Sequence, residues 1–194
     1  MHIKIKDNYK DFIKTLDRKS KKQLPFASMK AINKIGPTLK LHYKLKTRKA
    51  FDRPTPFTQN AFHFFKASMK KPVGTLFIKD AQEEYLKWQI DGGVRSTGRK
   101  IPIPYLKNAR LNKYGNIIGK RSGLIKKKSQ FISKVKGVSG VFERTKQGVK
   151  LIYMFHDDVN YESRFPFYKI GRAYIDRHFK RMLKQEITKA LRKP

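Results

Sequence analysis

The chain has 194 residues, of which 39% are hydrophobic, so it can bury one substantial core, and a single domain with extensions is the expected organisation. Its 47 Lys and Arg against 14 Asp and Glu give a formal charge of +33, which repels itself unless a polyanion or an acidic neighbour compensates it. The lack of cysteine excludes disulfides, thiolate catalysis and cysteine-based zinc sites, and neither a long apolar run nor a signal-peptide pattern at 1–10 predicts a membrane or secreted protein.

The N-terminal region predicts a strand followed by helices. Ile3 and Ile5 alternate with lysines, which is the period of a short strand. Apolar residues in 9–16 share one helical face, and Pro25 suits the first turn of a second helix. The Gly-Pro pair at 36–37 is expected to kink or interrupt that helix, because proline removes a backbone donor and clashes with the preceding turn.

A proline-rich stretch at 51–58 predicts a rigid, extended connector, because each proline disfavours helical angles in the residue before it. Strands are predicted at about 61–69 and 73–79. A short helix at 81–90 is expected to stop at the glycine pair 92–93. Since a stiff segment can hold a partner at low entropic cost, the connector supplies candidate assembly residues. These are Phe51, Arg53, Pro54, Pro56 and Phe57.

The C-terminal half begins with a strongly basic segment. From Arg95 to Lys150 there are sixteen Lys or Arg and the single acid Glu143, with seven glycines between them, which predicts a loop-rich basic insertion at 94–136. A hairpin is predicted across 145–148. A stripe of apolar residues after 167 then predicts a long amphipathic C-terminal helix.

Several of these bases are candidates for DNA-phosphate contacts, since ammonium and guanidinium groups bind any backbone without recognising bases. A solvated loop is the alternative for any one cluster, but sixteen bases against one acid favour a polyanionic neighbour. The candidates are Arg95, Arg99, Lys100, Lys126, Lys127 and Lys128.

Patterns typical of catalysis are weak. The five histidines show no paired metal-ligand spacing. Asp157 and Asp158, with Glu162 nearby, are the one acidic cluster, and a metal-dependent nuclease would need such carboxylates. A two-metal site draws ligands from several segments and no second cluster is visible, so a polar turn is the favoured interpretation. We expect no catalytic residue, metal or cofactor.

Several runs in order along the chain resemble a family of tailed-phage structural proteins related to minor tail protein Z and tail-completion proteins. The most specific run is DRPTPFT at 52–58, because seven residues with two prolines seldom recur by composition alone. The resemblance spans nearly the whole chain. Its runs are QLPFA at 23–27, AIN at 31–33, FDRPTPFT at 51–58, YL at 85–86, IDGG at 90–93, LNKYGN at 111–116, GVFER at 140–144 and RFPF at 164–167.

The resemblance implies a structural subunit of the head-tail junction or tail: a connector, terminator or minor tail protein in a ring of identical copies. Its partners would be portal, adaptor or tail proteins, and it would be found in the virion and, during assembly, in the host cytoplasm. The lysines between 107 and 136 exceed what the resemblance implies, so a contact with nonspecific double-stranded DNA is predicted from charge alone.

Two alternatives remain for the function: a stand-alone sequence-nonspecific nucleic-acid-binding protein, and a metal-dependent nuclease. The predicted fold is α+β, with N-terminal helices and the C-terminal helix covering a mostly antiparallel sheet.

Overall fold

The computed structural model describes residues 1–6, 18–118, 123–125 and 127–192. They form an α+β fold in two compact units. Unit 1 comprises residues 1–90 and 164–194, and unit 2 comprises 91–163. The α+β prediction is confirmed. The predicted insertion at 94–136 lies inside unit 2, and folding of the two units as one domain stays a prediction.

Unit 1 is built on two long antiparallel helices, α1 (Arg18–Ala50) and α4 (Phe167–Arg192). Tyr43 near the end of α1 lies against Phe167 at the start of α4, while Lys34 lies 3.3 Å from Glu186 further along α4. The C-terminal helix is therefore confirmed, but it packs mainly along α1 and not across the sheet. The helix predicted from residues 9–16 lies outside the described residues.

The prediction was that Gly36 and Pro37 kink or interrupt the second helix, and no interruption occurs. The placement of Pro25 in a first helical turn is wrong. Helix α1 runs through both prolines. Four of its residues between 32 and 43 are completely buried, so tertiary packing outweighs the cost of the missing donor. Gly36 has a packing function, because a Cβ there would collide with the Phe64 ring.

A three-stranded antiparallel sheet lies beside α1. Its strands are β1 (His2–Ile5), β2 (Phe62–Phe65) and β3 (Gly74–Ile78), in the order β1-β3-β2. These are the predicted strands, with the second and third shorter than expected. A cluster of aromatic rings fills the space between sheet and helices, with Tyr43 4.8 Å from Phe62 and 4.9 Å from Phe167 between ring centroids.

The connector is not extended throughout as predicted, because residues 51–53 form a bend in which Arg53 has a φ of 44°. Thr55 caps the single turn α2 (Pro56–Gln59), and Pro56 occupies its first position, where the missing donor costs nothing. Helix α3 (Asp80–Asp91) follows and confirms the predicted helix at 81–90. Gly92 ends it with φ of 74°, a left-handed conformation that favours glycine.

Unit 2 is a four-stranded antiparallel sheet. Its strands are β4 (Gly93–Pro104), β5 (Gln130–Val135), β6 (Val138–Thr145) and β7 (Gly148–Tyr161), in the order β4-β7-β6-β5. The predicted hairpin across 145–148 is confirmed by the pairing of Thr145 with Gly148. Strands β4 and β5 occupy both ends of the segment predicted to be loop-rich, and the described residues between them form turns, bends and irregular backbone, with an isolated bridge between Leu111 and Ile117.

The core of unit 2 is small: Leu124, Val141, Ile152 and Tyr153. In the part of the chain that the structure describes, no helix is both long and apolar enough to cross a membrane.

Candidate nucleic-acid interface

Glu143, the only acid between Arg95 and Lys150, lies on β6 and is 7% exposed. Its Oε1 accepts a hydrogen bond from Lys127 Nζ at 2.6 Å, and Lys150 Nζ lies 3.4 Å from Oε2. The hydrogen bond from Lys127 is the main reason that the pKa of Glu143 falls below its ordinary value. The Glu143 carboxylate thus pairs with two lysines. The segment from Arg95 to Lys150 contains no second acid to pair with its other fourteen bases.

A basic cluster surrounds the turn between β6 and β7. Arg144 places its guanidinium 4.9 Å from the centroid of the Phe131 ring, a cation–π arrangement across the β5–β6 pair. The Arg144 amide also donates to the Ser129 carbonyl at 2.9 Å, which holds the 127–129 bend against the strand end. Lys128 and Lys146 are exposed at this same end of the sheet.

A second basic cluster lies at the opposite end of β6, around the tip of the β5–β6 hairpin. Lys100 Nζ on β4 is 3.4 Å from the Ser139 hydroxyl. Lys134 pairs with Ser139 across the hairpin, and Lys136 occupies its turn with φ of 46°. Ser139 and Glu143 are four residues apart on β6, with a register irregularity between Val141 and Phe142, so the two clusters lie toward opposite ends of this strand.

Of the predicted phosphate contacts, Lys100 belongs to the cluster at the β5–β6 hairpin and Lys128 to the cluster at the β6–β7 turn. Arg95 and Arg99 lie on β4 with Lys100, Arg95 half-buried and the other two exposed. Lys128 belongs to the β6–β7 cluster, whereas Lys127 serves Glu143. Lys126 lies outside the described residues.

Strand pairing brings four further exposed bases, none of them a predicted phosphate contact, to the two ends of the sheet. They are Lys134, Lys136, Arg144 and Lys146. The predicted hairpin turn at 145–148 is a sequence signal for Arg144 and Lys146. Lys134 and Lys136 had no such signal, because the β5–β6 pairing was not predicted.

The acidic cluster of Asp157, Asp158 and Glu162 does not form the predicted polar turn. Asp157 and Asp158 are exposed residues of β7, with Asp158 paired to Ser96 on β4, and the strand ends at Tyr161, just before Glu162. Among residues that the structure describes, no group of three His, Cys, Asp or Glu could hold a metal ion.

The connector residues in unit 1 are not all available to a partner. Phe51 packs inside, 5.5 Å from the Phe165 ring, and Arg53 forms an exposed ion pair with Asp52 at 3.0 Å. Gln59 donates to the Pro54 carbonyl at 2.7 Å, so that proline is held within the chain. Phe57, in contrast, is 56% exposed.

Unit 1 also has a basic groove between α1 and α4. Tyr174 lies there with its ring 4.5 Å from His42 and 4.4 Å from His178. Lys46, Lys169 and Arg177 line the same groove. Burial lowers the pKa of His42, and the charges of Lys46 and His178 lower it further.

Comparison with known proteins gives no match: no protein-family model, curated protein or solved structure is similar to the chain.

Proposed function

We propose that the chain is a non-catalytic structural subunit of a tailed-phage virion, located beside DNA and contacting phosphates through the basic sheet of unit 2. The observation that carries the DNA contact is the isolation of Glu143. It is the one acid among sixteen bases, and it is already engaged by Lys127 and Lys150. The other bases need negative charge from outside the segment.

Double-stranded DNA supplies that charge in a suitable form. Each phosphate that a lysine or arginine neutralises releases condensed counterions, so binding is favourable without any base recognition. Two clusters at opposite ends of β6 can engage separate phosphates of one duplex. The described bases at these ends belong to strands and short turns, which limits the entropy lost on binding.

The virion context is supported by the resemblance to minor tail protein Z and tail-completion proteins. In that context the chain would form a ring with copies of itself and adjoin portal, adaptor or tail proteins, because closed rings are the usual solution for repeated subunits. Phe57 is the connector residue best placed to contact a neighbour. Finding the protein in purified particles at several copies per particle would support this assignment, and its absence would favour the stand-alone DNA-binding protein.

The DNA contact is tested by the salt dependence of duplex binding. The triple variant Lys128→Gln, Lys134→Gln, Lys146→Gln removes three exposed charges from the two clusters. Its matched control, Lys40→Gln, Lys49→Gln, Lys70→Gln, removes three exposed charges from unit 1.

On logarithmic axes of affinity against salt, the slope should flatten by about 0.9 for each phosphate that the unit 2 variant no longer neutralises. The control should retain the slope of the unmodified chain, and random and defined duplexes should bind alike. A flat salt dependence of the unmodified chain, or equal slopes for the two variants, would contradict the proposed interface.

Nuclease activity is tested separately. With Mg²⁺ or Mn²⁺ present, we expect the duplex to stay intact. Cleavage that Asp157→Asn or Asp158→Asn abolishes would replace the structural proposal by the enzymatic alternative.

A further inference from the structure

The face of the three-stranded sheet that points away from α1 carries aromatic and basic side chains. Two residues identify the inner face of the sheet: Phe64, which lies against Gly36 of α1, and Leu76, which is completely buried. Since successive side chains of a strand point to opposite faces, the neighbouring residues form the outer face. These are His2, Lys4, His63, Phe65, Thr75 and Phe77.

The register places these six residues in two rows across the strands. His2, Phe77 and His63 form one row. Lys4, Thr75 and Phe65 form the next row. No acid occurs at any of the six positions, and the exposed Lys79 directly follows β3 at the next outward position.

The aromatic rings of this face form one group. Phe65 and Phe77 are stacked, with ring centroids 4.8 Å apart and planes 23° apart. The His63 ring lies 5.2 Å from Phe65 and 5.4 Å from Phe77. Phe65 is nevertheless 58% exposed, although a sheet face that only meets water is normally polar.

We propose that this outer face binds single-stranded nucleic acid, with unpaired bases stacking on Phe65 and Phe77 and phosphates held by Lys4 and Lys79. Exposed rings on a sheet bind bases of any sequence, because every base has a π-face. The flanking lysines match the backbone charge of a polynucleotide, whereas an apolar protein partner would gain nothing from them. The site lies in unit 1 and requires unpaired bases, so it does not depend on the duplex contact proposed for unit 2.

The test compares Phe65→Ala with Tyr168→Ala in the full chain. Tyr168 is a similarly exposed aromatic residue of unit 1, 52% exposed, that lies on α4 outside this face, so it controls for loss of a surface ring. A third variant, Phe65→Leu, keeps apolar area but removes the π-system. Fluorescence anisotropy measures binding of an oligothymidine, of an abasic strand of the same length, and of a duplex.

Phe65→Ala should bind the oligothymidine roughly tenfold more weakly than the unmodified chain, given the usual worth of one base–aromatic stack. Phe65→Leu should be nearly as weak, and Tyr168→Ala should bind normally. All variants should bind the abasic strand and the duplex like the unmodified chain, because those contacts involve phosphates only.

Three results would overturn the proposal. One is equal oligothymidine binding by Phe65→Ala and Tyr168→Ala, and another is an equal loss on the abasic strand, which would mean that bases are not contacted. The third is normal oligothymidine binding by Phe65→Ala combined with altered sedimentation of that variant, which would assign the face to a second copy of the chain. None of these results alters the salt test of unit 2, so the two proposals fail independently.

Discussion

Unit 1 and unit 2 obtain their order in different ways. Unit 1 buries four large aromatic side chains, Tyr43, Phe62, Phe165 and Phe167, each at most 1% exposed. Among the described residues of unit 2, the buried core cluster is Leu124, Val141, Ile152 and Tyr153, and strand pairing, the Arg144–Phe131 contact and the ion pairs of Glu143 add to it. The chain has a net charge of +33, and the two units that carry this charge differ in the size of their cores.

The two units therefore differ in what stabilises them. A unit that buries many aromatic rings can be stable without the charged groups on its surface. In unit 2, Glu143 is the single acid of the basic segment, and it is buried and paired with Lys127 and Lys150. Substitutions that remove buried rings should therefore be most costly in unit 1, and substitutions that remove negative charge should matter most in unit 2.

The largest effect is expected from Phe167→Ala. Phe167 is completely buried and stacks on Tyr43, so truncation should reduce the free energy of unfolding by about 3–5 kcal/mol. The adjacent Tyr168, 52% exposed, provides the control, and Tyr168→Ala should cost less than about 1 kcal/mol. Urea denaturation measures both. Similar costs for the two variants would contradict the aromatic core.

A smaller effect is expected from Gly36→Ala. The added methyl would meet the Phe64 ring between α1 and β2, and the forced displacement should cost about 1–3 kcal/mol. Gly123→Ala in unit 2 is the matched control, because its added Cβ meets no atom within 4 Å. Thermal unfolding should separate the two variants. An unchanged or raised Tm for Gly36→Ala would mean that the helix and sheet are not in such close contact.

Glu143→Gln should lower stability chiefly in unit 2 and change its response to acid. The pKa of Glu143 is lowered in the folded chain, so its ion pairs stabilise the fold above the ordinary value of 4.5. That stabilisation is lost as the pH falls through the lower, folded-state pKa. The variant should therefore lose less stability between pH 5 and roughly pH 3 than the unmodified chain does.

Hydrogen exchange of β5–β7 measures this effect at each pH. Asp52→Asn, which breaks the exposed pair with Arg53, is the control and should leave β5–β7 unchanged. Equal exchange rates in Glu143→Gln and the unmodified chain at neutral pH would show that the buried acid is not needed.

The smallest effect is expected at His42. Its lowered pKa means that the folded chain resists protonation of this histidine, so stability decreases as the pH falls below the ordinary value of 6.5. His42→Gln should reduce the drop in Tm between pH 7.5 and pH 5.5. Because burial is the main cause, the difference should persist at about 1 M salt, which screens Lys46 and His178. If the difference in the Tm drop disappears at high salt, the charges of Lys46 and His178 are its cause.

Local patterns predicted much of the fold. The alternation at Ile3 and Ile5, the glycine-containing turn at 145–148 and the C-terminal apolar stripe each depend on neighbours in the sequence, and all three elements are present. Leu191, an apolar residue near the end of that helix, is 49% exposed. The continuity of α1 through Pro37 was not predictable, because it depends on the burial of Ile32, Leu39 and Tyr43 against other elements.

The candidate site was predicted less well, because its geometry depends on strand register. Lys127 looked equivalent to Lys128 in the sequence, and only the approach of the 127–129 bend to β6 places it on Glu143. The stacking of Arg144 on Phe131 likewise requires the β5–β6 pairing. Composition predicted that the segment is basic, but not which of its bases are available to DNA.

The most direct test of a DNA contact at the two ends of the unit 2 sheet is lysine acetylation, followed by mass spectrometry, with and without duplex DNA. Lys100, Lys128, Lys134 and Lys146 should become less reactive when DNA is added. The exposed unit 1 lysines at 40, 49 and 70 should keep their reactivity, and Lys127 should react slowly in both conditions because of its pair with Glu143. Protection confined to unit 1, or no protection at any lysine, would contradict the account.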